Sequence, residues 1–155
     1  GAAHVTSVDV GYAQFDWSLR QDERVTLLER TNIVDVPNEQ NCGTYDLVVC
    51  DVSFTSVLTV LPAVCELLGP AGRFLTLVKP QFEAAREDVG EGGVVRRPEV
   101  RREAVERVAG AFEEAGLAVQ GCCESAITGA KGNHEYLLLG ARGGQSRELD
   151  LSFIA

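Results

Sequence analysis

Short, almost wholly apolar runs alternate along this chain with longer amphipathic stretches, and the runs end on charged residues. Tyr45-Asp-Leu-Val-Val-Cys closes on Asp51, and Phe74-Leu-Thr-Leu-Val closes on Lys79. Runs this short and this rich in Val and Leu read as parallel strands covered on both faces. The second run extends back to Gly72, and further strands are predicted over residues 4–10 with Asp9 at the carboxyl end, 24–29, 117–124 and 135–141, six in all. Helical spacing marks residues 13–20, with Phe15, Trp17 and Leu19 available for packing. A second helix spans about 56–68, capped by Ser53 or Thr55 and stopped by Gly69-Pro70. A third starts at Pro98 or Glu99 and runs to Ala115, with Val100, Ala104, Val108, Ala111 and Phe112 as its apolar stripe and Gly116 as its stop.

Strands alternating with helices predict a doubly wound α/β domain with right-handed crossovers. The last two strands are joined by a loop without a helix, so the final strand is expected to run antiparallel to the rest. Residues 83–97, charged and holding Gly90, Gly92 and Gly93, read as a mobile loop and a candidate lid. The domain is expected over residues 1–142, followed by a tail over 143–155 whose apolar end, residues 149–154, either docks or stays loose.

Composition narrows the function. A chain of 155 residues, 45% apolar and 24% charged, suits one globular domain with a real core. No apolar run reaches the length of a membrane span. A net charge of -9 is awkward for a nucleic-acid binder, so any RNA partner must find most of its phosphate attraction elsewhere. Five cysteines, odd in number and without C-x-x-C spacing, point to reduced thiols and the cytoplasm. With only two histidines and no Cys/His cluster, no metal site is expected.

In open α/β sheets the ligand crevice lies beyond the carboxyl ends of the strands. Asp51 and Lys79 would meet there. A lysine beside an acid-ended strand is either a simple ion pair at the sheet edge or an amine tuned to handle a hydroxyl proton. Glu135, opening the last strand after Lys131-Gly-Asn-His134, reaches the same rim. Asp9 is placed to accept from a ribose diol, or simply to sit at the mouth of a loop. Asn32 and Asp35 either hold an adenine edge or make local turn bonds. Arg86, Arg96, Arg97 and Lys131 are the loop cations available to phosphates.

Seven stretches then fall into a familiar order: Gly11-Tyr-Ala-Gln14 after Asp9, Trp17-Ser-Leu-Arg-Gln-Asp22, Glu29-Arg-Thr-Asn32, Asp51-Val-Ser-Phe54, Val78-Lys-Pro-Gln-Phe-Glu83, Gly92-Gly-Val-Val-Arg96 and Gly132-Asn-His-Glu-Tyr136. In that order they resemble the methyltransferase domain of the TlyA-type family. Its members are named haemolysins and resemble FtsJ-like ribose 2'-O-methyltransferases acting on ribosomal RNA. The likeness covers nearly all of residues 1–142. It implies an S-adenosylmethionine-dependent enzyme with a Lys-Asp-Lys-Glu tetrad, of which Asp51, Lys79 and Glu135 are present. Lys79 would assist deprotonation of the ribose 2'-hydroxyl, with Asp51 and Glu135 setting its charge and orientation, and no metal. Asp9, Asn32, Asp35 and Asp51 would border the cofactor, while Arg96 and Lys131 would face the RNA.

Family members also carry a small basic RNA-binding module, a first tetrad lysine, and a first strand with a glycine-rich cofactor turn. None is in these 155 residues. The expected fold is therefore a Rossmann-like methyltransferase sheet missing its first strand and holding cofactor weakly on its own. The strands ending at Asp9 and Asp51 would expose edges. Residues 149–154 or a second chain would fill the gap, as in a homo-oligomer, or the sheet would rearrange. Two competing readings remain. A nicotinamide-dependent oxidoreductase needs a G-x-G-x-x-G turn, which the chain lacks. An interaction module that has lost catalysis fits poorly with the intact Asp51, Lys79 and Glu135.

Overall fold

The computed structural model describes all of residues 1–155, and its strands fall into two sheets. Strands β1 (Val5–Asp9) and β2 (Val25–Glu29) pair in parallel. Between them the predicted helix shrinks to α1 (Trp17–Arg20), capped by Asp16, and Trp17 and Leu19 remain largely exposed. The second sheet holds β3 (Tyr45–Cys50), β4 (Leu68–Val78), β5 (Leu117–Glu124) and β6 (Tyr136–Arg142) in the order β3-β4-β6-β5. As expected, β3 and β4 are parallel and β6 runs antiparallel to both its neighbours.

Helix α2 (Val57–Leu67) joins β3 to β4, and α4 (Pro98–Glu114) leads into β5. The cap of α2 is Ser56, whose Oγ accepts from the Leu58 N–H at 3.0 Å, rather than Ser53 or Thr55. Gly69-Pro70 does not stop this helix but lies inside β4, which begins at the residue after α2 ends. Tertiary bonds explain the abrupt passage. The last carbonyls of α2 are taken by the Gly43 N–H on Glu66 at 2.8 Å and the Thr44 N–H on Leu67 at 3.1 Å. A Cβ at Gly72 would lie 2.9 Å from the Tyr45 carbonyl oxygen, so only glycine lets β4 come this close to β3 there.

Both long helices pack on one face of the four-stranded sheet. Val57, Leu61 and Val64 of α2 and Val105, Val108 and Phe112 of α4 meet Phe74, Val78, Leu117, Val119 and Leu138 in one core. Phe74 and Phe112 stack with ring centroids 5.1 Å apart. The tail docks on this same core through Leu151 and Ile154, with Phe153 against Tyr136, and Arg101 and Arg102 donate to its last carbonyls.

Two expectations are corrected on the other side. The apolar run of β3 is not covered on both faces: Leu47 is 53% and Val49 67% exposed. Val49, Leu75, Leu77 and Leu137 line an open groove of about 260 Å³, and α1, the remaining candidate cover, packs on β2. Nor does the tail enter the space between β1 and β3. Those two strands do not pair, and the hydrogen bond joining the sheets is from Tyr45 Oη to Thr6 Oγ1 at 3.0 Å.

Candidate active site

Lys79 follows β4 and caps the short helix α3 (Pro80–Glu83). The proline at the first helical position keeps Lys79 extended, with φ -111° and ψ 100°. Its side chain reaches back over the carboxyl end of β3. There Nζ lies 2.6 Å from Asp51 Oδ1 and donates to Ser53 Oγ at 2.9 Å. The amine is deeply set, with its side chain 10% exposed, whereas that of Asp51 is 70% exposed. The structure thus brings together the two strand-end charges that the apolar pattern picked out.

Glu135 joins them by register. Val78 is partnered by Tyr136 across the β4–β6 pair, so Lys79 and Glu135 are the next residues beyond that partnership. The Glu135 side chain is buried and presses on Gly129, where an added Cβ would lie 2.0 Å from Oε1. No hydrogen bond or ion pair runs from Glu135 to Lys79. Beside it His134 Nδ1 pairs with Glu124.

Ser53, expected as a helix cap, and Glu83, to which the sequence assigned no role, hold this arrangement. Ser53 supplies the second acceptor for the Lys79 amine. Glu83, at the end of the helix that Lys79 begins, is buried and accepts from Ser56 Oγ at 2.6 Å and the Val57 N–H at 2.7 Å. Between these anchors Phe54 takes a left-handed φ of 62° and is 92% exposed, its ring 5.3 Å from that of Phe82. The signal for Glu83 was its spacing of one helical turn from Lys79, which puts both on one segment.

The other candidates lie elsewhere on the rim. At the end of β1, Asp9 Oδ1 accepts from the Gly11 N–H at 2.7 Å, forming a local turn. Asn32 caps a 3₁₀ turn over Ile33–Asp35 by accepting from the Val34 N–H at 3.3 Å, and Asp35 is exposed within that turn. Asp9 ends a strand of the two-stranded sheet, the turn holding Asp35 packs against α2, and Asp51 and Lys79 belong to the four-stranded sheet.

The expected mobile loop is instead pinned. Gly90 and Val94 form a bridge, and the Asn133 side chain accepts from the Val95 N–H at 3.1 Å and donates to the Gly93 carbonyl at 2.9 Å. Lys131 Nζ donates to the Gly92 carbonyl at 2.9 Å. Arg96 is exposed on this hairpin, Arg97 pairs with Asp88, and Arg86 is exposed in a neighbouring turn. All five cysteines are free, with Cys42 and Cys123 exposed and the other three half-buried rather than fully enclosed. No three His, Cys, Asp or Glu side chains gather as metal ligands, and no helix is long and apolar enough to cross a membrane.

A family model for FtsJ-like methyltransferases matches residues 1–142. Over 129 residues the chain is 47% identical to the 16S/23S rRNA (cytidine-2'-O)-methyltransferase TlyA of Mycobacterium tuberculosis, covering 83% of this chain and 48% of that protein. A crystal structure of a protein from Lactococcus lactis named a hemolysin superposes with a TM-score of 0.90 at 35% identity, covering 99% of this chain and 76% of the other. An S-adenosylmethionine-dependent methyltransferase from Mesorhizobium loti shares the fold, with a TM-score of 0.62 at 16% identity over 92% of this chain and 82% of its own. The chain belongs to the FtsJ-like methyltransferase family and has its Rossmann-like fold. It spans about half the length of the curated relatives it matches.

Proposed function

We propose that this member of the family acts in transfer of a methyl group from S-adenosylmethionine to a ribose 2'-hydroxyl of ribosomal RNA. The observation that carries this reading is the Lys79 amine, deeply set and 2.6 Å from Asp51 at the carboxyl ends of adjacent parallel strands. An amine nitrogen has three positions beyond its carbon. Asp51 and Ser53, both acceptors toward it, occupy two of them. The third is left to meet a hydroxyl. With two N–H groups committed, a neutral Lys79 offers its lone pair there and takes the hydroxyl proton. Asp51 and Ser53 fix the direction of that lone pair. Glu135, in the neighbouring register position, is the other acid this reading places at the rim.

The strand-end acids suit the nucleoside part of the cofactor. Asp9 spends one oxygen on Gly11 and keeps the other for a ribose diol, and the exposed Asp35 suits amino and hydroxyl donors. When bound, S-adenosylmethionine supplies the electrophilic methyl that the deprotonated oxygen accepts. On a chain of net charge -9, phosphate contacts fall to few cations, and exposed Arg96 with Lys131 is the pair this reading uses. The name of the mycobacterial relative supports a cytidine in ribosomal RNA as the target.

The test is incubation of the chain with methyl-labelled S-adenosylmethionine and ribosomal RNA, followed by nucleoside analysis for 2'-O-methylation. Calorimetry with S-adenosylhomocysteine runs alongside and separates cofactor binding from chemistry. Cofactor binding without any methyl reaching a 2'-oxygen sinks the reading.

A further inference from the structure

Glu83 has a chemistry that its position in a short surface-spanning helix does not require. Its carboxylate is 1% exposed, yet it carries a full set of partners from a distant segment. Oε2 accepts from Ser56 Oγ at 2.6 Å, Oε1 accepts from the Val57 N–H at 2.7 Å, and the Arg107 guanidinium stands 3.7 Å from Oε2. Arg107 also donates to the Glu83 carbonyl. An isolated carboxylate at this depth would be costly; here the first turn of α2 and one arginine compensate it.

These bonds close a ring through the site. One side of the ring is the covalent segment from Lys79 to Glu83, a single helical turn. The other is the segment from Asp51 to Val57. Two joints connect them: the Lys79 amine on Asp51 and Ser53, and the Glu83 carboxylate on Ser56 and Val57. The turn between the joints contains Phe54 at a φ of 62°, a conformation that a non-glycine residue holds only when its surroundings impose it.

We infer that Glu83 is a positioning residue: it clamps the Asp51–Val57 turn onto the Lys79 segment and so sets the direction of the Lys79 amine. The catalytic consequence rests on the role given to Lys79 above, but the clamp itself does not. Glu83→Ala removes the second joint, with both of its bonds to the turn. Glu83→Gln keeps the shape, one acceptor oxygen for the Val57 N–H and an amide that can donate to the second lone pair of Ser56 Oγ, so it removes the charge and the pairing with Arg107 rather than the reach to the turn.

The experiment compares wild type, Glu83→Ala, Glu83→Gln and a stability control, Leu117→Ala, which opens a cavity in the core where β5 pairs with Arg142, at the opposite end of β6 from Tyr136 and the Lys79 segment. Three readouts are taken in each: amide exchange at residues 53–57 against β4, the nitrogen-15 ammonium signal of Lys79, and kcat with KM for methyl transfer. In Glu83→Ala, exchange in the turn is expected to speed up relative to β4 and the protected Lys79 signal to vanish. The expected kcat falls about 10²-fold, with KM for the cofactor unchanged, and Glu83→Gln lies between. Leu117→Ala keeps the signal and the kcat. A Glu83→Ala protein with wild-type protection of the turn and of the Lys79 signal overturns the inference, as does an equal kcat loss in Leu117→Ala. Glu83-dependent protection in a wild type that transfers no methyl supports the clamp and defeats the proposed function instead.

Discussion

The Lys79 amine, nine-tenths enclosed, finds its counterion in a carboxylate that is mostly in water: Asp51 Oδ1 lies 2.6 Å away on a side chain 70% exposed. The pair is lopsided, with the enclosed partner fixed and the solvated one free to be shared with a ligand. Replacing one partner therefore gives different results from replacing the other. Lys79→Ala removes the proposed proton acceptor and is expected to lower methyl transfer by about 10²- to 10⁴-fold. Asp51→Asn leaves an enclosed amine with Ser53 as its neutral partner and should lower kcat while cofactor binding persists. Kinetics on both, with circular dichroism to verify folding, provide the check; a Lys79→Ala enzyme within threefold of wild type would remove the lysine from the mechanism.

Gly140 on β6 lies directly under Phe112, and a Cβ there would stand 2.6 Å from the ring. Phe112 is fully buried and stacks on Phe74, so it has nowhere to retreat. Gly140→Ala should destabilise by about 1–3 kcal/mol through overpacking, despite alanine's better backbone entropy. Phe112→Ala should cost about 3–5 kcal/mol. Combining them should recover part of the Gly140→Ala cost, because the clash has gone. Urea unfolding of the three variants would show strict additivity if the two sites were independent.

The Asn133 amide is a buried tie to the hairpin of Gly90 to Val94. Asn133→Ala leaves the buried Val95 N–H without its partner and frees the carbonyl of the exposed Gly93. The expected loss is about 1–3 kcal/mol, with limited proteolysis cutting first between residues 90 and 96. A variant as stable and as resistant as wild type would show that the hairpin does not need this residue.

Alkaline pH should unfold the chain progressively. Burial pushes the thiols of Cys50 and Cys65 up from the ordinary 9.0, and that of Cys122 up to about 12; burial likewise raises the Tyr136 hydroxyl. In the unfolded chain these groups lose protons from about pH 9, whereas the folded chain keeps them. The unfolded state then binds fewer protons, so stability falls as pH rises from 9 toward 12 and is untouched by these groups below 9. Thermal melts at neutral pH and at about pH 10.5 should show the drop; a level midpoint across that range would mean the thiols are not protected.

The strands and the Asp51–Lys79 meeting were legible because a short apolar run and a charged terminus are local properties. Contacts between distant segments were not. The α2-to-β4 boundary looked like a Gly-Pro stop because the carbonyls of Glu66 and Leu67 are satisfied from Gly43 and Thr44, more than twenty positions upstream. Residues 83–97 looked loose from their glycines and charges, yet Asn133 and Lys131 fix them. Glu83 passed as one more charge in a polar stretch, since its partners Ser56 and Val57 precede it by 27 and 26 positions. An apolar run such as β3 also cannot announce whether a helix covers its second face.

The stretch of β4 that delivers Lys79 carries a rule for how the gene can vary. From Arg73 to Val78 the strand pairs residue for residue with β6, whereas at its start the pairing with β3 jumps from Leu68 opposite Tyr45 to Arg73 opposite Leu47. A single-codon insertion or deletion within Arg73–Val78 would have no slack to absorb it, and the shift would travel to the end of the strand and turn the lysine beyond it to the wrong side. Length changes in descendants of this sequence should therefore collect in the turns after β2 and before β6, leaving Arg73–Val78 at constant length.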